Sequence, residues 1–325
     1  MLNTHYLHPP AAEFLDYLRD KLDSRIALTT GDLGSFAPET QILIAGRPTQ
    51  EQVESCPKLQ TVIIPWAGLP DVTRELMLGY PQIKVHNLHH NAAPVAELAF
   101  ALLLAASKFI LPFDRALREA DWRPRYKPNP SMLLKDKSAL ILGFGAIGQR
   151  LARICRAFDM KVLAVKRTIT STAEALAHEL YTLEALPKIL PRADVLFVCF
   201  PLTPETEGVI GARELAALPQ GAILVNVGRG PLIQEEALFL ALKDRHLAGA
   251  GLDVWYYYPS SEEERSYTRP SVYPFHELEN VVLSPHRGGA TADTNYLRMD
   301  GVAELLNAAA AGKMPPNRVD VTAGY

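Results

Sequence analysis

Cysteine is scarce in this chain: Cys56, Cys155 and Cys199 are the only three in 325 residues, far apart and without paired spacing. That excludes a disulfide framework and any Cys-x-x-Cys redox or zinc motif, and it suits a reducing compartment. Cys199 lies in the apolar run Val195–Phe200 and reads as a small buried residue. A strong charge bias is also missing. The formal net charge of -3 gives no case for a nucleic acid or an anionic membrane surface as partner. Long apolar runs are absent too: the charge-free stretch Leu98–Ala106 is about half of the ~20 residues that a membrane span needs. The opening segment Met1–Pro10 lacks the basic start and apolar core of a signal peptide. There is no tandem repeat and no low-complexity tract. The expectation is a soluble, cytoplasmic protein.

What is present is ordinary globular composition, 48% apolar and 21% charged. The length exceeds what one hydrophobic core of usual size organises, so two domains are expected. In the first third, β-branched runs at Ile26–Thr30, Ile42–Ala45, Thr61–Pro65 and Ile83–Asn87 read as strands. Helical patterns at Ala11–Lys21 and Asp71–Gly79 lie among them, an alternation that predicts parallel strands with crossover helices. A helix apolar on nearly every side follows from about Val95 to Phe109, which predicts burial between domains or subunits. The segment Trp122–Pro130 carries three prolines and the cations Arg123, Arg125 and Lys127 and reads as an irregular connector. Alternation then resumes with predicted strands at Ser138–Leu142, Lys161–Val165, Asp194–Phe200, Ala222–Val227, Gly249–Val254 and Asn280–Ser284. This second parallel sheet has the size of a dinucleotide-binding unit. A final helix is expected from Thr294 to about Ala311.

The most informative local pattern is Gly143-Phe-Gly-Ala-Ile-Gly148, set between the strand Ser138–Leu142 and a helix predicted over Ile147–Phe158. Gly143 permits the tight turn, Gly145 lets the backbone approach a pyrophosphate, and Gly148 allows close helix–strand packing. Ala146 and Ile147 open the helix, whose N-terminus offers free N–H groups and the positive end of its dipole to an anion. The next strand ends at Lys166-Arg167-Thr168. An NAD-selective enzyme usually places an acid at this point for the ribose 2′-hydroxyl, whereas two cations and a hydroxyl suit a 2′-phosphate. The expected cofactor is therefore NADP, with NAD as the alternative.

Across nearly its whole length the chain resembles the D-2-hydroxyacid dehydrogenase family. The resemblance is carried by Asn91-Ala-Ala-Pro-Val-Ala-Glu97, the glycine loop, Pro201-Leu-Thr-Pro-Glu-Thr206, Leu224-Val-Asn-Val-Gly-Arg-Gly230 and Leu283-Ser-Pro-His286, in the family's order and spacing. It implies an α/β fold of two Rossmann-like or flavodoxin-like parallel-sheet domains with the active site in the cleft between them. The substrate domain would comprise residues 1–96 completed by 292–325, and the dinucleotide domain residues 97–291. A homodimer would use the helix from Val95. By the same resemblance Arg229 orients the substrate, since a guanidinium can grip a carboxylate with two bonds and polarise a keto oxygen. His286 would be the acid/base. Backbone N–H groups at Ala67 and Gly68 would hold the substrate carboxylate, with Asn91 nearby. Pro201, Thr206, Val227, Gly228 and Gly288 would border the cofactor, and Asp253 would face its nicotinamide side. The implied substrate is a small 2-hydroxy or 2-keto acid.

One position departs from the family. Most members carry, five residues after the aspartate of the Leu-Asp-Val motif, a glutamate that keeps the catalytic histidine protonated. This chain reads Asp253-Val-Trp-Tyr-Tyr-Tyr-Pro259, with Tyr258 in the glutamate's place. A neutral phenol can orient an imidazole through one hydrogen bond but does not raise its pKa as a carboxylate does. Three readings follow. His286 works with a lower pKa or with Asp253 as its orienting partner. Or the acid comes from Glu262, Glu263 or Glu264, a run that otherwise reads as a solvated loop. Or the hydride donor is formate-like, since formate dehydrogenases of the superfamily carry an uncharged residue there. Trp255 and the three tyrosines after it are expected to line the site and favour an apolar substrate side chain.

His86, His89 and His90 have spacing compatible with a metal, but no acidic or cysteine ligand stands near them, and a border of the substrate site is the favoured reading. No metal is expected. Outside the enzyme class, a dinucleotide sensor like the C-terminal-binding-protein corepressors fits the missing glutamate. The retention of Arg229, His286 and Asn91 favours the enzyme.

Overall fold

The computed structural model describes residues 1–128, 131–169 and 175–325. The chain divides into two compact units, Met1–Asn91 with Ala290–Tyr325, and Ala92–Gly289.

In the first unit the elements are β1 (Leu2–Tyr6), α1 (Ala12–Lys21), β2 (Ile26–Thr30), β3 (Ile42–Ile44), α2 (Gln50–Glu54), β4 (Thr61–Ile63), α3 (Asp71–Leu78) and β5 (Lys84–His86). The strands are all parallel in the order β2-β1-β3-β4-β5. Side chains alternate across such a sheet, and here both faces are apolar. Ile42, Ile44 and Ile63 face one core with Leu15 and Leu18 of α1. Leu43, Val62 and Val85 face the other with Val53 and Met77. β1 does not announce itself in the sequence because it reads Leu-Asn-Thr-His-Tyr, yet it is a central strand. His5 is wholly buried there, with Nδ1 2.8 Å from the Thr29 hydroxyl and Nε2 2.7 Å from the Gly31 carbonyl oxygen. A polar side chain is tolerated in a core when its partners are present.

The second unit holds α4 (Ala92–Ser107), α5 (Ile110–Arg118), β6 (Ser138–Leu142), α6 (Ala146–Ala157), β7 (Lys161–Val165), β8 (Glu179–Tyr181), α7 (Leu186–Ile189), β9 (Val195–Val198), α8 (Ala212–Ala217), β10 (Ala222–Asn226), α9 (Glu235–Lys243), β11 (Leu247–Leu252) and β12 (Val281–Leu283). α10 (Thr294–Ala310) returns to the first unit, where Met299, Val302 and Leu306 join the core on the α1 side. The second sheet is parallel with order β12-β11-β10-β9-β6-β7-β8. Its order reverses between β6 and β9, and ligands of open α/β sheets bind outside the carboxyl ends of the strands at such a point. The first sheet has its reversal between β1 and β3.

The apolar helix begins at Ala92, three residues earlier than expected. Pro94 falls in its first turn, where the missing N–H costs nothing. It is buried inside its own unit: Ala99, Leu102, Leu103 and Ala106 share a core with Ile141 of β6 and Val225 of β10. Its all-round apolarity therefore needs no subunit contact. This also sets the division of the chain at 91/92 and 289/290, a few residues from the sequence-based 96/97 and 291/292. Phe109, at φ 53°, breaks the helix from α5. Exposed Ile110, Leu117, Trp122, Tyr126 and Leu133 follow. The connector contains one short 3-10 turn at Arg123–Tyr126, and its end at Pro130 lies outside the described residues. Among the described residues no single helix is long and apolar enough to cross a membrane. α4 and α5 reach that composition only as a pair, bent by 63°.

Candidate active site

Gly143 leaves β6 with φ +100° at the edge where β6 and β9 meet. A Cβ there would stand 2.7 Å from the Cys199 carbonyl carbon, so any other residue would push the two strand ends apart. The N–H groups of Gly143 and Phe144 both donate to the Val165 carbonyl at 3.1 Å, tying the turn to the end of β7. α6 begins at Ala146 with no side chain capping it. The N–H groups of Ala146, Ile147 and Gly148 thus lack helical acceptors, and the space beside Gly145 is open for 4 Å. Uncapped amides beside an open glycine fit the pyrophosphate of a dinucleotide.

At the end of β7, Lys166 is half-buried and its N–H is bonded to the Tyr181 carbonyl at 2.9 Å. Arg167 and Thr168 are exposed. Beyond β9 the Thr206 hydroxyl donates to the Pro201 carbonyl at 2.7 Å and accepts from the Thr203 N–H at 2.8 Å, so it shapes this loop from inside.

Arg229 stands on a turn at the end of β10. Asn226, 2% exposed, holds both sides of that turn: its carbonyl accepts from the Gly228 N–H at 3.1 Å and its amide donates to the Arg229 carbonyl at 2.9 Å. Val227 and Gly228 are buried in consequence, while the Arg229 side chain reaches the surface and donates one bond to its own neighbour's carbonyl, Gly228, at 2.7 Å. Among the described residues no carboxylate pairs with the guanidinium.

His286 lies on a loop following β12 and has φ +57°, a left-handed backbone uncommon outside glycine. The loop is held by Asp253. Its carboxylate, 2% exposed, accepts from the Ser284 hydroxyl, from the Arg287 N–H at 2.8 Å and from the Gly288 N–H at 2.9 Å. Trp255 adds a bond from Nε1 to the Ser284 carbonyl at 2.8 Å. Asp253 and Gly288, expected along the cofactor, are thus engaged with each other, the carboxylate holding a side-chain hydroxyl before the histidine and two backbone N–H groups after it. The imidazole itself is exposed. Its pKa is pushed below the usual 6.5, first by partial desolvation and then by the Arg229 guanidinium, with Asp253 opposing.

Tyr258 meets His286 ring to ring, with centroids 5.6 Å apart and planes tilted by 56°. Its hydroxyl turns away and accepts from the Trp255 N–H at 3.0 Å. The anticipated phenol–imidazole hydrogen bond is replaced by a packing contact, because the tight turn Trp255–Tyr258 satisfies its own backbone with that hydroxyl. The acidic run is likewise occupied locally: Glu262 pairs with Arg265 at 2.9 Å, and Glu264 accepts from the Ser260 N–H at 2.8 Å. Of the four consecutive aromatics, Trp255 is buried in the core and Tyr256 donates to the Ile233 carbonyl at 2.9 Å, leaving Tyr257 and Tyr258 exposed.

In the first unit, Ala67 and Gly68 lie on the loop leaving β4. The Asn87 amide donates to the Ala67 carbonyl at 2.6 Å, and the Leu88 N–H to the Trp66 carbonyl at 3.1 Å. These bonds fix the loop by its carbonyls and leave the N–H groups of Ala67 and Gly68 outside them. Asn91 is half-buried. Of the neighbouring histidines, His86 is wholly buried with Nδ1 2.8 Å from the Pro316 carbonyl oxygen, whereas His89 is exposed. Among the described residues no three His, Cys, Asp or Glu side chains gather as a metal-binding set.

The sequence profile of the D-isomer specific 2-hydroxyacid dehydrogenase, NAD binding domain, matches residues 100–288. The chain belongs to the D-isomer-specific 2-hydroxyacid dehydrogenase family. It is 34% identical over 295 residues to a glyoxylate reductase of Thermococcus litoralis, covering 86% of this chain and 82% of that one. It is also 34% identical over 291 residues to a D-3-phosphoglycerate dehydrogenase of Mycobacterium bovis, covering 88% of this chain and 52% of the longer relative. The fold matches that of a family member from Xanthobacter autotrophicus Py2, solved in complex with NADPH and MES, with a TM-score of 0.79, 24% identity and 99% of both chains covered. The protein is accordingly an NAD(P)-dependent oxidoreductase of the 2-hydroxyacid dehydrogenase type.

Asn226 and Ser284 lay inside the quoted family blocks without being singled out. For Asn226 a signal existed. An asparagine two residues before a glycine is the pattern of a side chain that accepts from the backbone two positions on. For Ser284 none existed, since its partner Asp253 is 31 residues away in sequence.

Proposed function

We propose that the protein moves a hydride between NADP(H) and a small 2-hydroxy or 2-keto acid. The observation that carries this is a guanidinium with no carboxylate partner among the described residues and an exposed imidazole in electrostatic reach of one another, each on a backbone turn fixed by a buried side chain. Bound nicotinamide supplies or takes the hydride. Arg229 grips the substrate carboxylate and polarises the adjacent carbonyl oxygen. His286 gives a proton to that oxygen during reduction and takes it back during oxidation. Backbone N–H groups of Ala67 and Gly68 bind the carboxylate, with Asn91 alongside. The loops carrying Pro201 and Val227 border the dinucleotide. Tyr258 covers one side of the imidazole and leaves it without a carboxylate partner. The 34% identity to a glyoxylate reductase supports a small keto acid. Lys166 and Arg167, at a strand end with no acid beside them in sequence, support NADP over NAD. The exposed apolar residues of α5 and the connector support a homodimer.

NADPH and NADH oxidation against a panel of 2-keto acids from pH 5 to 9 tests this reading. Turnover with NADPH at the higher kcat/KM is expected. Tight NADPH binding with no turnover of any keto acid would leave the formate-like donor or the sensor. Replacing Lys166 with Asp and Arg167 with Pro is expected to move preference towards NAD, and unchanged NADPH affinity in that variant would defeat the NADP assignment.

A further inference from the structure

The first unit contains a cation with no anion. Arg298, on the second turn of α10, is half-buried, and its Nε is shielded from solvent without a hydrogen-bond partner. Among the described residues it forms no ion pair. His90 lies close enough for Arg298 to depress its titration, and its Nδ1 is likewise shielded and unpaired. Burial first, then Arg298 and His89, hold the imidazole at about 4, so it is neutral in most conditions. Tyr6, 3% exposed at the end of β1, shares a core with Met299, the neighbour of Arg298, and lies within electrostatic reach of the guanidinium. His90 also packs on α10, its Cβ 3.9 Å from where a side chain at Gly301, one turn past Arg298, would begin. Polar groups of the segment after β5 and of α10 thus stand together, and no acid is among the groups that shift them.

A shielded N–H donor of a cation, left without an acceptor, carries a desolvation cost, and an anionic ligand that accepts from it removes that cost. Tyr6 ends one of the two strands, β1 and β3, between which the order of the first sheet reverses. The segment that carries His90 is bonded through Asn87 and Leu88 to the Trp66–Ala67 loop.

We propose that Arg298, His90 and Tyr6 form a binding site for an acidic group, carboxylate or phosphate, of the protein's small ligand. On the reading above, on which this assignment of the ligand rests, it is a second acidic group of the keto acid, remote from the reacting carbonyl. Binding there contributes to recognition more than to chemistry, so its loss raises KM before it lowers kcat.

The test compares wild type, Arg298→Met and His90→Leu on glyoxylate, which has no second acid, on 2-oxoglutarate and on 3-phosphonooxypyruvate. The ratio of kcat/KM for a dianionic substrate to that for glyoxylate is expected to fall at least tenfold in Arg298→Met, mainly through KM. A smaller fall is expected in His90→Leu, which leaves α10 untouched. Whichever of the carboxylate and phosphate substrates shows the larger fall identifies the group bound. Independently of turnover, malonate or inorganic phosphate should raise the Tm of the wild type more than that of Arg298→Met. If wild type turns over no keto acid but keeps this difference in Tm, the anion site stands and the oxidoreductase substrate reading falls. Equal ratios together with equal Tm shifts in all three proteins would overturn the proposal.

Discussion

The carboxyl edges of the two sheets are built on opposite lines. At the seven-stranded sheet, the two buried side chains that shape the Arg229 and His286 loops are satisfied within the protein: Asn226 closes the Arg229 turn and Asp253 closes the His286 loop. In the five-stranded sheet, His86 Nε2, His90 Nδ1 and Arg298 Nε are shielded from solvent and unpaired. The first edge is organised before any ligand arrives, as an edge that does chemistry should be, since groups held in place need no reorganisation when charge develops. The second edge is left incomplete, which suits recognition, where the ligand itself supplies the missing partner.

The contrast can be broken most severely at His286. His286→Ala should lower kcat by about 10²–10⁴-fold, the usual contribution of a positioned acid/base, while cofactor affinity measured by fluorescence titration stays the same. Retained turnover of a keto acid would rule the role out. Next comes Asp253→Asn, which sets an N–H₂ against donors from Ser284, Arg287 and Gly288. Bonds to a buried charge are worth about 1.5–3 kcal/mol each and are not additive, so a loss of about 2–4 kcal/mol in thermal unfolding is expected, together with a lower kcat as the histidine loop loosens. A variant of unchanged Tm would show that the loop is held by other means. The smallest effect, and the sharpest comparison, is Tyr258→Glu. With its pKa below the usual value, His286 is protonated only at low pH, so keto-acid reduction should rise as pH falls past the usual 6.5. Oxidation needs the neutral ring and should already be at its plateau near neutrality. A carboxylate at 258 should move both profiles upward by about 1–3 pH units. Identical profiles for the two proteins would mean that residue 258 does not govern the imidazole.

The strand pattern was legible where apolar and β-branched residues run together, as at Ile42–Ala45 and Ala222–Val227, because such runs have few uses other than a buried strand. β1 was not legible, since its Thr4, His5 and Tyr6 are polar or amphipathic, and His5 is accommodated by partners elsewhere in the chain. The end of the apolar helix near Phe109 was legible, whereas the left-handed backbone that makes the break was not, because one such residue leaves no mark in a run of apolar side chains. In the site, Gly143, Arg229 and His286 were readable from short motifs in which neighbours in sequence define the geometry. The Asp253 clamp, the inward turn of the Tyr258 hydroxyl and the lone Arg298 were not. Each depends on which backbone group happens to stand opposite a side chain, and that is settled by tertiary contacts across tens of residues.

The left-handed backbone of His286 carries a consequence for how this position can change over evolutionary time. Only glycine, and to a lesser degree asparagine, aspartate and histidine, occupy that conformation readily. Two filters, one for a proton-carrying ring and one for a tolerated φ, thus act on a single codon, and histidine is the residue that passes both. A lineage that kept the dinucleotide fold but gave up proton transfer would be released from the first filter and still bound by the second. Its sequence should carry glycine or asparagine at this place, a readable mark of an enzyme turned binding protein.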